Sequence, residues 1–202
     1  MRPLILASGS PRRQSLLSAL GVDFRVVTSG AHEPNTGDSP AEIVIRNAAI
    51  KRDDVARQIF EPTIIIAADT LVFFEEHVLP KPSDMEDARR MLRLLSGKTH
   101  QVLTGLALLD TETGQTAEAA ETTDVTFREL NDDEIDHFVH IVEPLDRAGA
   151  YTVDGPGSLI VAGYRGCYQN VLGLPMVRLY GLMGELGVDL FAAMDKDGAK
   201  FL

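Results

Sequence analysis

The run LILASGSPRR at Leu4–Arg13 carries more information than any other part of this chain of 202 residues. Its first four residues are apolar and predict a short buried strand. Ser10 and Pro11 then suit the start of a helix, because serine is a good N-cap and proline fits the first helical position. Ser8 and Gly9 therefore lie in the loop between a strand and the N-terminus of a helix.

This strand–loop–helix unit has the composition of an anion-binding site. A helix N-terminus offers free N–H groups and positive partial charge, while Gly9 allows close approach of a ligand and Ser8 adds a hydroxyl. Arg12 and Arg13 add forked donors that suit phosphate. The alternative is an ordinary capped helix with two solvated arginines. The spacing matches neither a P-loop nor a dinucleotide-binding fingerprint.

Outward from this unit, helices and strands alternate along the chain. Apolar and β-branched runs predict further strands, which are Phe24–Thr28, Thr63–Ala68 with an extended continuation over Leu71–Phe74, Gln101–Asp110, Thr116–Arg128 and Leu159–Ala162. Helix signals lie at Ser10-Pro11, after Ser39, after Ser83, after Asn131 and over Leu179–Leu186. Because the long middle hairpin is not a βαβ unit, we expect an α/β fold with a mixed sheet.

The composition predicts an ordinary folded, cytoplasmic protein. Hydrophobic residues make up 45% and charged residues 24% of the chain, which is usual for globular domains. Cys167 is the one cysteine, which excludes an internal disulfide and a thiol-rich zinc site. We expect neither a membrane span nor a signal peptide, since no apolar run is long enough. The net charge of −11 argues against nucleic acid as a partner, so an anionic ligand needs a local basic pocket.

Four further positions carry candidate chemistry. Asp69 follows the apolar run at 63–68, and a carboxylate at a strand end is typical of α/β active sites, with an Asx-turn as the alternative. Lys81 stands between two prolines, and Lys51 lies on the second predicted helix. A solvated surface lysine is the alternative for both. Glu33, in the loop before that helix, is equally open to either interpretation.

Together these residues resemble the Maf family of nucleoside triphosphate pyrophosphatases. The run at 4–13 resembles the signature loop of the family, Ala68–Thr70 its catalytic strand end, and Lys81-Pro82 its basic loop. Further blocks match in order along nearly the whole chain, and these are Leu95–Val102, Thr104–Gly105, Glu143–Pro144, Ala148–Tyr151 and Gly173–Pro175. Blocks that match in one order are far more specific than any single motif.

The resemblance implies an elongated α/β fold similar to that of the inosine triphosphate pyrophosphatases, with a mixed sheet, flanking helices and a central cleft. Residues 1–202 would form a single domain with two lobes around that cleft. The implied reaction is hydrolysis of a (d)NTP to the (d)NMP and pyrophosphate, with a divalent cation, Mg²⁺ or Mn²⁺, as cofactor. The resemblance leaves open whether the protein removes modified nucleotides, a house-cleaning role, and whether it forms a homodimer.

The resemblance also implies roles for individual residues. Asp69 would be the proton acceptor, and Glu33 together with Asp69 would bind the metal. The triphosphate would be held by Ser8, Arg12, Arg13, Lys51 and Lys81. Arg12, Thr70 and Asp154 occupy positions that differ between branches of the family according to substrate. Whether Asp69 takes a proton from water or holds the metal that acidifies it stays open at this point.

The preferred base also stays open, because branch-specific features disagree. Thr70 and Tyr151 match the branch that hydrolyses dTTP and UTP, in which the position of Asp154 is a glutamine. Asp154 is closer to the glutamate of the branch that acts on 7-methyl-GTP. A glutamine offers a donor and an acceptor to uracil, whereas an ionised aspartate offers acceptors only and suits guanine better. Alternatively, Asp154 only stabilises the turn before Gly155.

Two other function classes use the same motifs. The first is a nucleotide-binding regulator of septum formation without significant catalysis, because the family is also associated with septum formation. Pure binding would not need an acid such as Asp69 among phosphates, which favours an enzyme. The second is a sugar-nucleotide or phosphosugar transferase, which also uses a basic N-terminal loop but finds no support in the later blocks.

Overall fold

The computed structural model describes residues 2–34, 37, 39–75 and 77–200. The described strands are β1 (Leu4–Leu6), β2 (Phe24–Val26), β3 (Ile64–Phe74), β4 (His77–Leu79), β5 (Thr99–Asp110), β6 (Thr116–Phe127) and β7 (Val161–Arg165). The described α-helices are α1 (Pro11–Ser18), α2 (Pro40–Ala56), α3 (Met85–Leu95), α4 (Asp132–Val142), α5 (Tyr168–Val171) and α6 (Met176–Glu185).

Within these residues the strands form one mixed sheet. Its order is β2–β1–β3–β5–β6–β7, and β4 pairs with β3. Strand β1 runs parallel to both β2 and β3, whereas β4 is antiparallel to β3 and β7 is antiparallel to β6. Parallel strands linked through helices thus share a sheet with antiparallel pairs, which confirms the predicted α/β class with a mixed sheet.

The chain divides into two compact units. The first unit comprises Met1–Asp69, Thr104–Glu121 and Gly173–Leu202. The second comprises Thr70–Leu103 and Thr122–Leu172. Each unit has buried hydrophobic clusters of its own.

In the first unit, both faces of the sheet are covered. Alternate residues of a strand point to opposite faces. Leu4 and Leu6 belong to the larger cluster together with Leu17 of α1 and apolar residues of α6. Ile5 belongs to a smaller cluster with Val55 of α2. Helices on both faces explain why β1 and the first half of β3 are almost continuously apolar.

Helix α2 approaches β5 closely because Gly105 has no side chain. A Cβ at Gly105 would lie 2.3 Å from the carbonyl oxygen of Val44, in the first half of α2. Since no real side chain tolerates such a contact, only glycine lets the helix backbone lie this near the strand. The helix begins after Ser39, whose hydroxyl accepts a hydrogen bond from the Glu42 N–H at 3.3 Å, as predicted.

The structure corrects the predicted end of β3. The strand continues without a break to Phe74, and Asp69 lies near its middle. The placement of Asp69 at the end of a strand, and with it the Asx-turn alternative, is therefore wrong. The reason is cross-strand pairing, because β4 pairs with the second half of β3, with Val72 opposite Leu79, and keeps the chain extended beyond its most apolar run.

The helix caps agree with the prediction at some helices and differ at others. Asn131 caps α4, as predicted, and the structure shows that it does so in a reciprocal capping box with Glu134. At α3 the cap is Asp84 rather than Ser83, because the Asp84 carboxylate accepts the hydrogen bond from the backbone N–H of Asp87 at 2.8 Å. Ser10 stands at the N-cap position of α1, but its side chain makes no capping hydrogen bond.

The second unit packs α3 and α4 around an aromatic core. Leu95 of α3 and Phe138 of α4 belong to this core together with Phe127 of β6. His100 is also inside it, with 2% of its surface exposed. Its Nε2 lies 2.7 Å from the Tyr151 hydroxyl, and its ring packs edge-on against Phe127. This histidine is therefore a core residue of the second unit.

Candidate active site

Asp69 is a buried carboxylate held by two side chains of α2. Only 5% of the residue is exposed. The Lys51 ammonium donates to Asp69 Oδ1 at 2.8 Å, and the Asn47 amide donates to Asp69 Oδ2 at 3.0 Å. Residues four apart share one face of a helix, so α2 presents both donors together. Each oxygen of the carboxylate thus has its own fixed partner.

Lys51 joins Asp69 to a second carboxylate, that of Glu33. Its Nζ lies 2.7 Å from Glu33 Oε2 as well as 2.8 Å from Asp69 Oδ1. The Lys51 side chain is 12% exposed, whereas that of Glu33 is 40% exposed. One shielded ammonium therefore bridges a buried carboxylate and a more accessible one.

The pKa of Asp69 lies below its ordinary value. Burial acts to raise it, but attraction to Lys51, the hydrogen bonds from Lys51 and Asn47, and attraction to Arg13 together outweigh the burial. Asp69 is therefore ionised at neutral pH. In that form it accepts hydrogen bonds from water or binds a cation.

Arg13 is a buried arginine that organises the loop before α1. Its Nε donates to the carbonyl oxygen of Gly173 at 2.8 Å, and a terminal nitrogen donates to Ser8 Oγ at 3.0 Å. Burial lowers the pKa of the guanidinium, while attraction to Asp69 and Glu33 acts in the opposite direction. Two of its donors thus position Ser8 and the surrounding loop.

The first unit brings together six of the predicted site residues. Arg12, in the first turn of α1, is half-buried. Its charge acts to lower the pKa of Arg13, whereas the charges of Asp69 and Glu33 act to raise it. The six are Ser8, Arg12, Arg13, Glu33, Lys51 and Asp69. Three of these side chains are cationic and two are anionic. The local balance of charge among these six residues is therefore positive.

The remaining predicted residues belong to the second unit. Thr70 is half-buried in β3, and Lys81 is exposed on the loop after β4. Asp154 is exposed as well; its carboxylate accepts a hydrogen bond from the Thr152 hydroxyl, and its carbonyl oxygen accepts one from the Gly157 N–H at 3.0 Å. These contacts support a role in the turn. A role for Asp154 in base selection stays a prediction.

Asn47 is a functional candidate that the sequence analysis missed. It is completely buried, and its amide nitrogen bonds to Asp69. Its Oδ1 has no hydrogen-bond partner among the residues that the structure describes. The signal in the sequence was a polar side chain on the inner face of an amphipathic helix, one turn before Lys51.

Glu33 and Asp69 fit a divalent cation that a ligand helps to hold. Oxygens of both carboxylates reach the same ammonium, so they can share one positive charge. In the described ranges, no group of three or more His, Cys, Asp and Glu side chains is placed to hold a metal ion. Mg²⁺ commonly binds through one or two carboxylates together with substrate phosphates. This donor set suits that mode rather than a closed metal site.

Comparison with known proteins gives matches over most of the chain. A family model described as Maf-like protein matches residues 3–186. The dTTP/UTP pyrophosphatase of Dictyoglomus thermophilum is 40% identical over 191 residues, which cover 94% of this chain and 98% of that protein. The dTTP/UTP pyrophosphatase of Bacillus cereus (strain B4264) is 44% identical with the same coverage. That of Bacillus cytotoxicus is 46% identical over 180 residues, covering 89% of this chain and 93% of the relative.

Solved structures give more distant likenesses. The Ham1 protein of Staphylococcus aureus is 16% identical with a TM-score of 0.42, covering 62% of this chain and 72% of its own. A HAM1 protein of Coxiella burnetii is 15% identical with a TM-score of 0.44, covering 63% and 73%. The family match and the curated relatives extend much further along the chain, and the matched span includes every predicted site residue. The chain therefore belongs to the Maf-like protein family.

Proposed function

We propose that the protein is a nucleoside triphosphate pyrophosphatase that cleaves dTTP and UTP between the α and β phosphates. The observation that carries the proposal is the buried, ionised Asp69 carboxylate, which Lys51 and Asn47 hold in the same unit as the Ser8–Arg13 loop. Relatives that are 40% and 46% identical are named dTTP/UTP pyrophosphatase, which supports this substrate class.

In the proposed reaction, a water molecule attacks the α-phosphorus and pyrophosphate leaves. Asp69 accepts a hydrogen bond from this water, orients it and takes its proton as the new P–O bond forms. Since the pKa of Asp69 lies below its ordinary value, the carboxylate is a weak base. Orientation of the water by the carboxylate therefore contributes to the rate alongside the proton transfer.

Negative charge that develops on the leaving pyrophosphate is opposed by groups around α1. Arg12 adds a cation, and the first N–H groups of the helix add positive partial charge. Ser8, positioned by Arg13, adds a hydroxyl donor. Mg²⁺ or Mn²⁺ held by Glu33 and Asp69 would supply charge that screens the triphosphate.

Several expectations from the resemblance stay predictions. Lys81 is expected to hold the triphosphate, while Arg12, Thr70 and Asp154 are expected to select the base. A homodimer, a cytoplasmic location, a house-cleaning role and a single domain with two lobes around a cleft are likewise predictions. As to membranes, the described helices include none that is both long and apolar enough to cross one.

A binding-only regulator of septum formation is not favoured. A protein that only holds a triphosphate gains nothing from a buried carboxylate next to anionic phosphates, because like charges repel. The curated relatives are moreover named as pyrophosphatases.

The substitution Asp69→Asn tests the proposal. It preserves the shape of the side chain and should lower kcat with dTTP or UTP by about 10²–10⁴-fold. Release of pyrophosphate from a panel of canonical and modified triphosphates measures both the loss and the preferred substrate.

Asp110→Asn is a matched control for the loss of a buried carboxylate. Asp110 is completely buried in the first unit, where it bonds to Thr113 and Arg2 at the hairpin turn. This variant should keep its turnover. A folded Asp69→Asn variant that still turns over at the wild-type rate would remove Asp69 from the mechanism.

A further inference from the structure

The Lys51 ammonium occupies the space that both candidate metal ligands face. Besides Glu33 Oε2 at 2.7 Å and Asp69 Oδ1 at 2.8 Å, the carbonyl oxygen of Ala68 lies 3.4 Å from Lys51 Nζ. Several oxygens around one cation form the environment that a hard divalent ion also seeks. The two cations cannot occupy this space together, because like charges repel strongly at such distances.

Burial makes this competition effective. The side chains of Lys51 and Asp69 are only 12% and 7% exposed, so solvent and salt screen their attraction weakly. A metal ion that enters alone must separate the pair and leave a shielded ammonium without an anion, which is strongly unfavourable. A triphosphate offers new oxygens to that ammonium and further oxygens to the metal. The exchange of partners is therefore favourable only when the metal ion and the triphosphate bind together.

We propose that Lys51 is an internal counter-cation that keeps a divalent metal ion away from the Glu33–Asp69 pair until a nucleoside triphosphate binds. The inference rests on the proposed function, because it takes a triphosphate as the ligand that receives the ammonium. It implies an order of binding in which metal and triphosphate enter as a complex. In the resulting complex, the Lys51 ammonium contacts phosphate oxygens instead of the two carboxylates. The carboxylates in turn bind the metal instead of Lys51.

Direct binding of Mn²⁺ tests the inference without nucleotide and without turnover. Electron paramagnetic resonance of free Mn²⁺ yields dissociation constants for the wild type and for Lys51→Met, which keeps a long side chain but removes its charge. The variant should bind Mn²⁺ more tightly than the wild type by about tenfold or more. Adding Glu33→Gln to that variant should reverse the gain in affinity for Mn²⁺, and this reversal would place the ion at the Glu33–Asp69 pair.

Lys98→Met is the matched control. Lys98 lies in the second unit, with its Nζ 5.0 Å from the centre of the Phe74 ring, and its loss should leave Mn²⁺ binding unchanged. With the non-hydrolysable analogue α,β-imido-dUTP, the wild type should bind Mn²⁺ more tightly than either the protein or the analogue does alone.

Two results would overturn the inference. One is a folded Lys51→Met variant that binds Mn²⁺ no more tightly than the wild type does, and the other is a gain in affinity that the added Glu33→Gln substitution does not reverse. If Lys51→Met does not fold, Lys51→Gln replaces it, because its neutral amide can still donate to Asp69. The nucleotide-free titrations do not depend on catalysis. Failure of the proposed function would instead show as an absence of pyrophosphate release from dTTP and UTP by the wild type.

Discussion

A single buried amide fixes one oxygen of the Asp69 carboxylate. Asn47 donates to Oδ2, while Lys51 takes Oδ1. Asn47→Leu keeps a similar volume but removes the donor, so the carboxylate can turn away from the attacking water. We expect kcat with dTTP or UTP to fall about 10–100-fold, as is typical when the partner of a site carboxylate is lost, with KM nearly unchanged. Steady-state release of pyrophosphate measures both constants.

Asn170→Leu is the control for replacing a buried asparagine. Asn170 is also completely buried, and its amide donates to the Val102 carbonyl and the Thr123 hydroxyl, each at 2.9 Å, inside the second unit. This variant should lower Tm without a selective loss of kcat. Parallel losses of kcat and Tm in both variants would mean that Asn47 serves packing alone.

Choice of base is a property of individual side chains as well, and Asp154→Gln tests it. A glutamine can both donate and accept, which matches uracil and thymine better than an ionised carboxylate does. The variant should raise kcat/KM for UTP relative to GTP by a factor that corresponds to about 1–3 kcal/mol. The glutamine oxygen can still accept from Thr152, as the carboxylate does. An unchanged ratio would assign Asp154 to the turn alone.

Among the secondary-structure elements, the contact between α2 and β5 bears directly on the site, because α2 carries both Asn47 and Lys51. Gly105→Ala should lower the free energy of unfolding by about 1–3 kcal/mol, because its Cβ overlaps the helix backbone at Val44. It should also lower kcat/KM, since α2 must shift relative to Asp69.

Urea denaturation and pyrophosphate release measure these two effects of Gly105→Ala. Gly163→Ala, in β7, is the control, because an added Cβ there would meet nothing within 4 Å. If both glycine variants have the stability and activity of the wild type, the close approach of α2 does not position the site.

The stability of the whole molecule should depend on pH through His100. Burial lowers the pKa of His100 from 6.5 to about 4. The unfolded chain therefore gains a proton as the pH falls below about 6.5, whereas the folded protein stays neutral there until about 4. The free energy of unfolding should decrease through this window by about 3 kcal/mol at most. Above about pH 7 the histidine is neutral in both states and contributes no pH dependence.

Urea denaturation at several pH values between about 7.5 and 5 measures this dependence. His100→Gln does not titrate and keeps a group that can bond to the Tyr151 hydroxyl, the partner of His100 in the wild type. The variant should lose the part of the pH dependence that belongs to this window. Equal slopes for variant and wild type would exclude His100 as its source.

Local signals were sufficient to predict most helices and strands and the types of side chain at the site. Ser39 and Asn131 cap α2 and α4 as predicted, because a cap depends on residues within one helical turn. The apolar runs predicted β1 and the first half of β3, since strands covered on both faces need apolar residues throughout. The order of the motifs along the chain was enough to indicate the family.

The partners of those side chains became visible only in three dimensions. Arg13 bonds to the carbonyl of Gly173, 160 positions further along the chain, and Lys51 bonds to Asp69 rather than standing in solvent. No local pattern reports such pairs, because they depend on strand order and on the helix that covers each face. Asn47 therefore looked like an ordinary helix residue. Asp69 looked like a strand end, because the pairing with β4 that extends β3 is itself a tertiary contact.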